Sequence, residues 1–345
     1  MSYLADGLAK ELIISPWYPE EERARLHADL IREVRVVPRF LIDNVMEFYF
    51  KTSPKICWEV WNDFPNVAPP FEAFWVEGRF PDQLNMGGTM KSAKEFAAEL
   101  RGPLIKQCGY FCNAVPLAED GEWWGWSVSG SMYCRYARGS IVGPLGTVVI
   151  PVRKDGTPTC TTDLPPGLKD SFVALLGQDI GDGVATVMGW SREFVEWVME
   201  YQSPKPTSSE VIEMVSSQLQ MSIDGFKPIM LALSFLHCKN VKVREQRPPP
   251  RLMRARKKKR KGGLLTYKVL DIEPMRIVLS TEGSMDEVGP QKALHICRGH
   301  FAHYTEDAPL FGRVTGSFWR TQHYRGSAHH GVVKKDYRVH PPKGG

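Results

Sequence analysis

Seven of the nine histidines fall in the last 51 residues, at His295, His300, His303, His323, His329, His330 and His340. Most lie in the run HICRGHFAHYTEDAPLFGRVTGSFWRTQHYRGSAHH, residues 295–330, among Arg298, Tyr304, Arg313, Trp319, Arg320, Tyr324 and Arg325. Imidazoles titrate near neutrality, and guanidinium groups grip phosphate oxygens through paired donors. One chemistry open to such a segment is metal-independent RNA cleavage. His300 and His323 would act as general base and acid at the 2′-hydroxyl and the leaving oxygen, with Arg298, Arg325 and Tyr304 around the phosphate. A second is RNA binding without cutting, with arginines on phosphates and His, Tyr324 and Trp319 stacked on bases. A third is a zinc site from His295, Cys297, His300 and His303. Ligands so close on one segment rarely close a tetrahedron, and a strand over 293–298 would leave His300 beyond its end. Neither a metal nor another cofactor is therefore expected. The plainest alternative is that Gly299, Gly312, Gly316 and Gly326 make tight turns while the histidines line a hairpin surface.

Other catalytic signatures are missing from the string. It contains no G-x-x-x-x-G-K-[ST], no G-x-G-x-x-G, no H-E-x-x-H and no G-x-S-x-G. P-loop hydrolysis, dinucleotide redox chemistry and serine hydrolysis thus lack support. The seven cysteines (Cys57, Cys108, Cys112, Cys134, Cys160, Cys238, Cys297) are odd in number and scattered, unlike a disulfide framework. Cys108 and Cys112 form a lone C-x3-C with no second pair nearby, a poor zinc motif.

The chain carries a net charge of +5 over 345 residues, and the sum hides a division. Residues 1–246 hold 24 basic and 31 acidic side chains, a net −7, whereas 247–345 carry +12. Eight of the eleven residues in RLMRARKKKRK, 251–261, are basic and none is acidic. Arg251, Arg254, Arg256, Lys257, Lys258, Lys259, Arg260 and Lys261, with Arg313, Arg320 and Arg325 further on, are the expected polyanion contacts. A solvated spacer is the bland alternative.

These residues need elements to hold them. Glu20 to Val34 has helical apolar spacing, a second helix is expected from Arg39 to Phe50, and a third over 91–100. Cys57 to Pro81 reads as two strands around a proline-containing loop, and Trp123 to Arg138 and Leu145 to Val152 also read as strands. Trp58, Trp61, Trp75, Trp123, Trp124 and Trp126 could stack on bases, but the acidic balance of this half favours packing in a sheet. Residues 168–238 are expected to be mainly helical, with Trp190 to Tyr201, Ser208 to Met221 and a buried apolar helix at Pro228 to Cys238. That last run is too short to cross a bilayer, and no signal peptide is visible, so a cytoplasmic protein is expected. Asn240 to Gly263 reads as a mobile linker. Beyond it, strands are expected at 265–272, 275–280, 293–297 and within VTGSFW and VKKDYRV. The fold class is α+β: a mixed aromatic-rich sheet with helices, plus a small C-terminal β-rich module. The expected domains are an acidic recognition body at 1–240, a basic linker at 241–263 and a His/Arg-rich β module at 264–345.

The apolar helix ending in LHC at 236–238, the charged proline-containing segment after it, and H-x-C-R-G-H-F at 295–301 together resemble an anti-CRISPR family. That family is carried by phages and plasmids and directed against the type V-A effector nuclease. Its H-x-R-R-G-H-W box maps here onto His295, Arg298, Gly299, His300 and Phe301. Cys297 stands where the family has its first arginine, and Phe301 replaces tryptophan. The stretch 309–326 is similar to actinobacterial-phage versions of the tail, and the resemblance covers roughly residues 228–326. It implies an accessory protein that lowers the effector's messenger RNA during translation, with the translating ribosome and nascent polypeptide as partners in a bacterial cytoplasm. A ribonuclease or toxin using His300 and His323, and a virion or assembly protein touching DNA, are the rival readings.

Overall fold

The computed structural model describes residues 3–8, 20–51, 64–86, 89–95, 104–137, 139, 141–144, 146–160, 163–170, 186–188, 225–259, 264–272, 293–297, 300–310, 313–320, 323–325 and 327–332. The fold is α+β, built on a mixed nine-stranded sheet. Helices α1 (Leu4–Leu8) and α2 (Glu20–Val36) precede β1 (Arg39–Leu41) and α3 (Asp43–Lys51). Strand β2 (Ala73–Arg79) follows, then a small ribbon of β3 (Gln83–Met86) and β4 (Thr89–Ser92). Next come β5 (Ile105–Glu119), β6 (Glu122–Tyr136), β7 (Ile141–Val142), β8 (Thr147–Arg153) and β9 (Thr186–Met188). Helix α4 (225–236), β10 (Val241–Gln246), α5 (Pro250–Lys258) and β11 (Tyr267–Ile272) complete this part of the chain. Across the sheet the strands run β10-β11-β1-β2-β5-β6-β8-β9, with β7 beside β6. No helix among the described residues is long and apolar enough to cross a membrane.

The centre of the sheet is the β5–β6 hairpin, two 15-residue strands joined at Asp120-Gly121. Both turn residues have positive φ, 50° and 82°, the conformation that a two-residue loop needs to match the twist of its strands. Strand alternation then divides the side chains between two faces. On one, Trp75, Phe111 and Tyr133 pack with Leu4 and Leu8 of α1 and Leu30 and Val34 of α2. On the other, the Phe226 ring of α4 meets Tyr110 at 5.3 Å between centroids.

Residues 225–235 of α4 are all buried, as its apolar sequence requires. Phe226 seats where Gly130 leaves room, since a Cβ on Gly130 would lie 2.3 Å from its Cε2. Gly130→Ala is expected to destabilise the fold by about 1–3 kcal/mol through overpacking, read as a lower urea midpoint.

Four expected elements differ. The helix foreseen at Arg39–Phe50 starts only at Asp43, because Arg39–Leu41 pairs as a parallel strand with both β2 and β11. Asp43 accepts the Arg79 amide at 2.9 Å and lies in the first turn of α3, where a carboxylate suits the helix dipole. The helix foreseen over 91–100 is preceded by β4, is helical at 93–95, and otherwise lies outside the described residues. Strand β9 interrupts the stretch expected to be helical, 168–238. Trp190–Tyr201, Ser208–Met221, the strands at 275–280 and in VKKDYRV, and Trp58 and Trp61 lie outside the described residues.

The fourth difference concerns the linker. Residues 241–246 form edge strand β10 and 250–258 form α5, while β11, assigned by sequence to the C-terminal module, pairs with β1. The chain divides into one compact unit of Met1–His237 with Val243–Asp271, and another of Cys238–Lys242 with Ile272–Gly345. Strand β11 belongs with the main sheet because it buries side chains on both faces: Tyr267 and Leu270, three positions apart, are each 1% exposed or less.

The second unit is small and β-rich. It contains β12 (Ala293–Cys297), β13 (His300–Tyr304), β14 (Gly316–Arg320), β15 (His323–Arg325) and β16 (Ser327–Val332). Strands β13 and β14 form a two-stranded sheet, and β12 lies between β15 and β16 in a three-stranded one. Phe318 is fully buried and meets the Tyr304 ring edge-on at 5.9 Å. The Lys239 amide donates to Ser317 O at 3.0 Å and ties segment 238–242 to β14.

Candidate nucleic-acid interface

Most of the basic run, residues 251–258, is helical. After Gln246 the chain reads RPPP, and Pro250 opens α5 at the first helical position, where a missing N–H removes no hydrogen bond. No acidic residue follows in the first turn, and Arg256, Lys257 and Lys258 fill the last, where cations favour the helix dipole. The Lys259 amide closes the helix by donating to Ala255 O at 3.2 Å and Arg256 O at 3.1 Å.

No residue of α5 is buried. Arg251, Arg254, Lys257, Lys258 and Lys259 are exposed, Arg256 is half-buried, and even Leu252 is 47% exposed. Arg251 with Arg254, and Arg254 with Lys257 and Lys258, are like charges at helical spacings of three and four, each pair unfavourable by a few tenths of a kcal/mol. A helix that buries nothing and repels itself gains from a polyanion that neutralises it. Strands β10 and β11, neighbours in the sheet, hold its two ends. Arg260 and Lys261 lie outside the described residues.

The C-terminal unit distributes the remaining candidates over two ladders. In β13–β14, His300 pairs with Arg320, Phe301 with Trp319 and His303 with Ser317. The His303 Nδ1 lies 3.0 Å from Ser317 Oγ. In β12–β15, His295 pairs with Arg325 and Cys297 with His323. Arg313 is exposed in the turn closed by Leu310 and Val314, and Arg298 lies outside the described residues.

The two ladders belong to separate sheets. In backbone register His300 is the partner of Arg320, and His323 that of Cys297.

The other sequence candidates are accounted for by packing. Cys108 and Cys112 sit inside β5, fully buried, and burial pushes both thiols up, away from the reactive thiolate. Trp75 is fully buried in the core, whereas Trp123 is 48% exposed and stacks edge-on against Trp126 at 4.9 Å.

Sequence reasoning passed over one polar residue, Glu77. It is 2% exposed, and its Oε1 accepts the Leu4 amide at 2.9 Å while Oε2 accepts the Ala5 amide at 2.8 Å and Trp75 Nε1 at 2.6 Å. Burial drives its pKa up to about 7 against the pull of these donors. Around it, Asp6 accepts the Leu265 amide at 3.0 Å, and the Tyr267 hydroxyl is buried with no hydrogen-bond partner among the described residues. The cluster is enclosed by α1 and serves to anchor that helix. Its sequence signal was an acid in phase with Trp75 on an inward-facing strand position.

No family model, no curated protein and no solved structure matches the chain. The assignment of function therefore rests on geometry and on residue chemistry.

Proposed function

We propose that this protein is an RNA-binding accessory protein of a phage or mobile element, acting on a host or defence gene product through RNA or ribonucleoprotein, as the anti-CRISPR resemblance implies. The observation that carries this reading is α5: six cations from Arg251 to Lys259, no acid in the first turn and no buried residue. Phosphate contacts of this kind give affinity without chemistry. His300 and His323 belong to different ladders and are not cross-strand partners, which supports binding ahead of cleavage.

The test is fluorescence anisotropy with labelled single-stranded RNA and duplex DNA over 50–300 mM salt, with the same RNA samples run on a denaturing gel. The expected result is RNA that is bound, released as salt rises, and left intact by both the wild type and His300→Ala. Salt-indifferent binding, or none, would overturn the reading. Cleavage lost in His300→Ala would establish the nuclease alternative instead, and a strong preference for duplex DNA the assembly one.

A further inference from the structure

The hairpin of β5 and β6 ends in an exposed aromatic corner. A bulge between Leu117 and Ala118 shifts the register, so that Ala118 pairs with Trp123 while Pro116 pairs with Trp126. Direct partners share a face of the sheet. The bulge therefore puts two tryptophans three residues apart on the same side, where alternation alone would separate them. Their rings meet edge-on, with centroids 4.9 Å apart and planes at 80°. Trp124 packs on the opposite face with Leu117, Val149, Leu164 and Leu168.

The corner is fixed in place and left open. Trp123 Nε1 donates to Gly125 O at 2.9 Å, which sets the plane of the indole, yet the residue is 48% exposed. Pro116 and Ala118 beside it are exposed and Trp126 is half-buried. Around the turn stand Glu119, Asp120 and Glu122, none with an ion-pair partner among the described residues. Glu119 and Glu122 are direct cross-strand partners, a like-charge pairing that costs stability until a cation neutralises it. Arg153, opposite Gly125 in register, interacts with Asp155.

We propose that this corner binds an arginine side chain of a basic protein segment, with the guanidinium laid on the exposed Trp123 ring and its charge balanced by the turn carboxylates. Among aromatic faces the indole attracts cations best, and a guanidinium is planar and weakly hydrated enough to stack on it. A nucleobase could also stack, but its phosphates would meet the three carboxylates. The corner lies in the acidic part of the chain, and β1 and β2 stand between β5 and the β10–β11 pair that holds α5. It is thus a contact for protein, independent of the RNA contact assigned to α5.

Fluorescence anisotropy of a labelled peptide of alternating arginine and glycine, titrated with the full-length protein, provides the test. The expected result is saturable binding, weakened about tenfold by Trp123→Ala and severalfold by Glu119→Gln with Glu122→Gln. Trp123→Ala leaves the net charge unchanged, so its effect separates the corner from general attraction to an acidic body. A citrulline–glycine peptide, similar in shape but uncharged, should not bind. Glutamine at the α5 cations should leave peptide binding as it is, which keeps this site distinct from the RNA reading. Bound peptide should also protect Trp123 of the wild type from oxidation by N-bromosuccinimide, read by mass spectrometry, so the result does not depend on the folding of any variant. No saturable binding, unchanged affinity in Trp123→Ala, equal binding of the citrulline peptide, or Trp123 oxidised equally with and without peptide would each overturn the site. So would a Trp123→Ala variant that loses affinity for RNA and keeps it for the peptide.

Discussion

Replacing Arg251, Arg254, Arg256, Lys257 and Lys258 together with glutamine is expected to cut affinity for single-stranded RNA about three-thousandfold at 0.1 M salt. Each phosphate contact on a single strand contributes about 0.7 to the slope of log K against log salt. Five lost contacts flatten that slope by about 3.5, which amounts to about three and a half decades between 0.1 M and 1 M salt. The substitutions touch no buried side chain, since α5 buries none. Far-UV circular dichroism and the urea midpoint should therefore match the wild type. An unchanged slope would show that α5 is a solvated spacer, the bland reading of the basic run. A slope change without loss of fold would separate its electrostatic role from any structural one.

The second large effect belongs to Glu77. Glu77→Leu removes the acceptor for the Leu4 amide, the Ala5 amide and the Trp75 indole, all inside the core. Three orphaned buried donors at about 1–3 kcal/mol each predict a loss of about 3–9 kcal/mol at pH 5. The loss should be smaller at pH 7.5, for a reason that fixes the sign of the pH dependence. The Glu77 pKa is about 7 in the folded chain and 4.5 as the ordinary value, so the unfolded chain releases its proton first. Between those values the folded state holds more protons, and stability falls as pH rises. The contribution is full below pH 4.5 and gone above about 7, a change of about 3 kcal/mol over 2.5 pH units. Burial of Asp43 raises its pKa as well and adds in the same direction. Urea melts of wild type and Glu77→Leu at both pH values isolate the Glu77 part, because the variant lacks it. Parallel pH profiles in the two proteins would show that the Glu77 carboxyl is not the group responsible.

Much of the fold was legible where a local period carries it. The apolar helix at 228–238, the long helix at 20–34 and the strands at 123–138 and 145–152 follow from spacing alone. The β5 strand was missed although Asp120-Gly121 marks its hairpin, because proline and cysteine dilute the alternation of IKQCGYFCNAVPLAE. Strand β1 was hidden inside a helical pattern: Phe40 and Leu41 are apolar in either period, and pairing with β2 and β11 settles which one holds. Within the candidate interface, the identity of the cations was plain, but their helical presentation was not. Prolines at 248–250 read as linker composition, while in the chain they set the start of α5.

By itself, the sequence determined the −7 and +12 halves, the absence of the common catalytic motifs and an α+β mixture of periodic segments. These depend on composition and on neighbours a few residues away. The tertiary structure decided the rest. Arg39 donates to Thr266 O across 227 residues, bringing β11 into the main sheet. The carboxyl of Glu77 accepts the Leu4 amide across 73 residues, and in backbone register His323 is paired with Cys297 and His300 with Arg320. Such partnerships arise because apolar faces far apart in the chain find one another, and a shift of one residue in strand register moves a side chain to the opposite face.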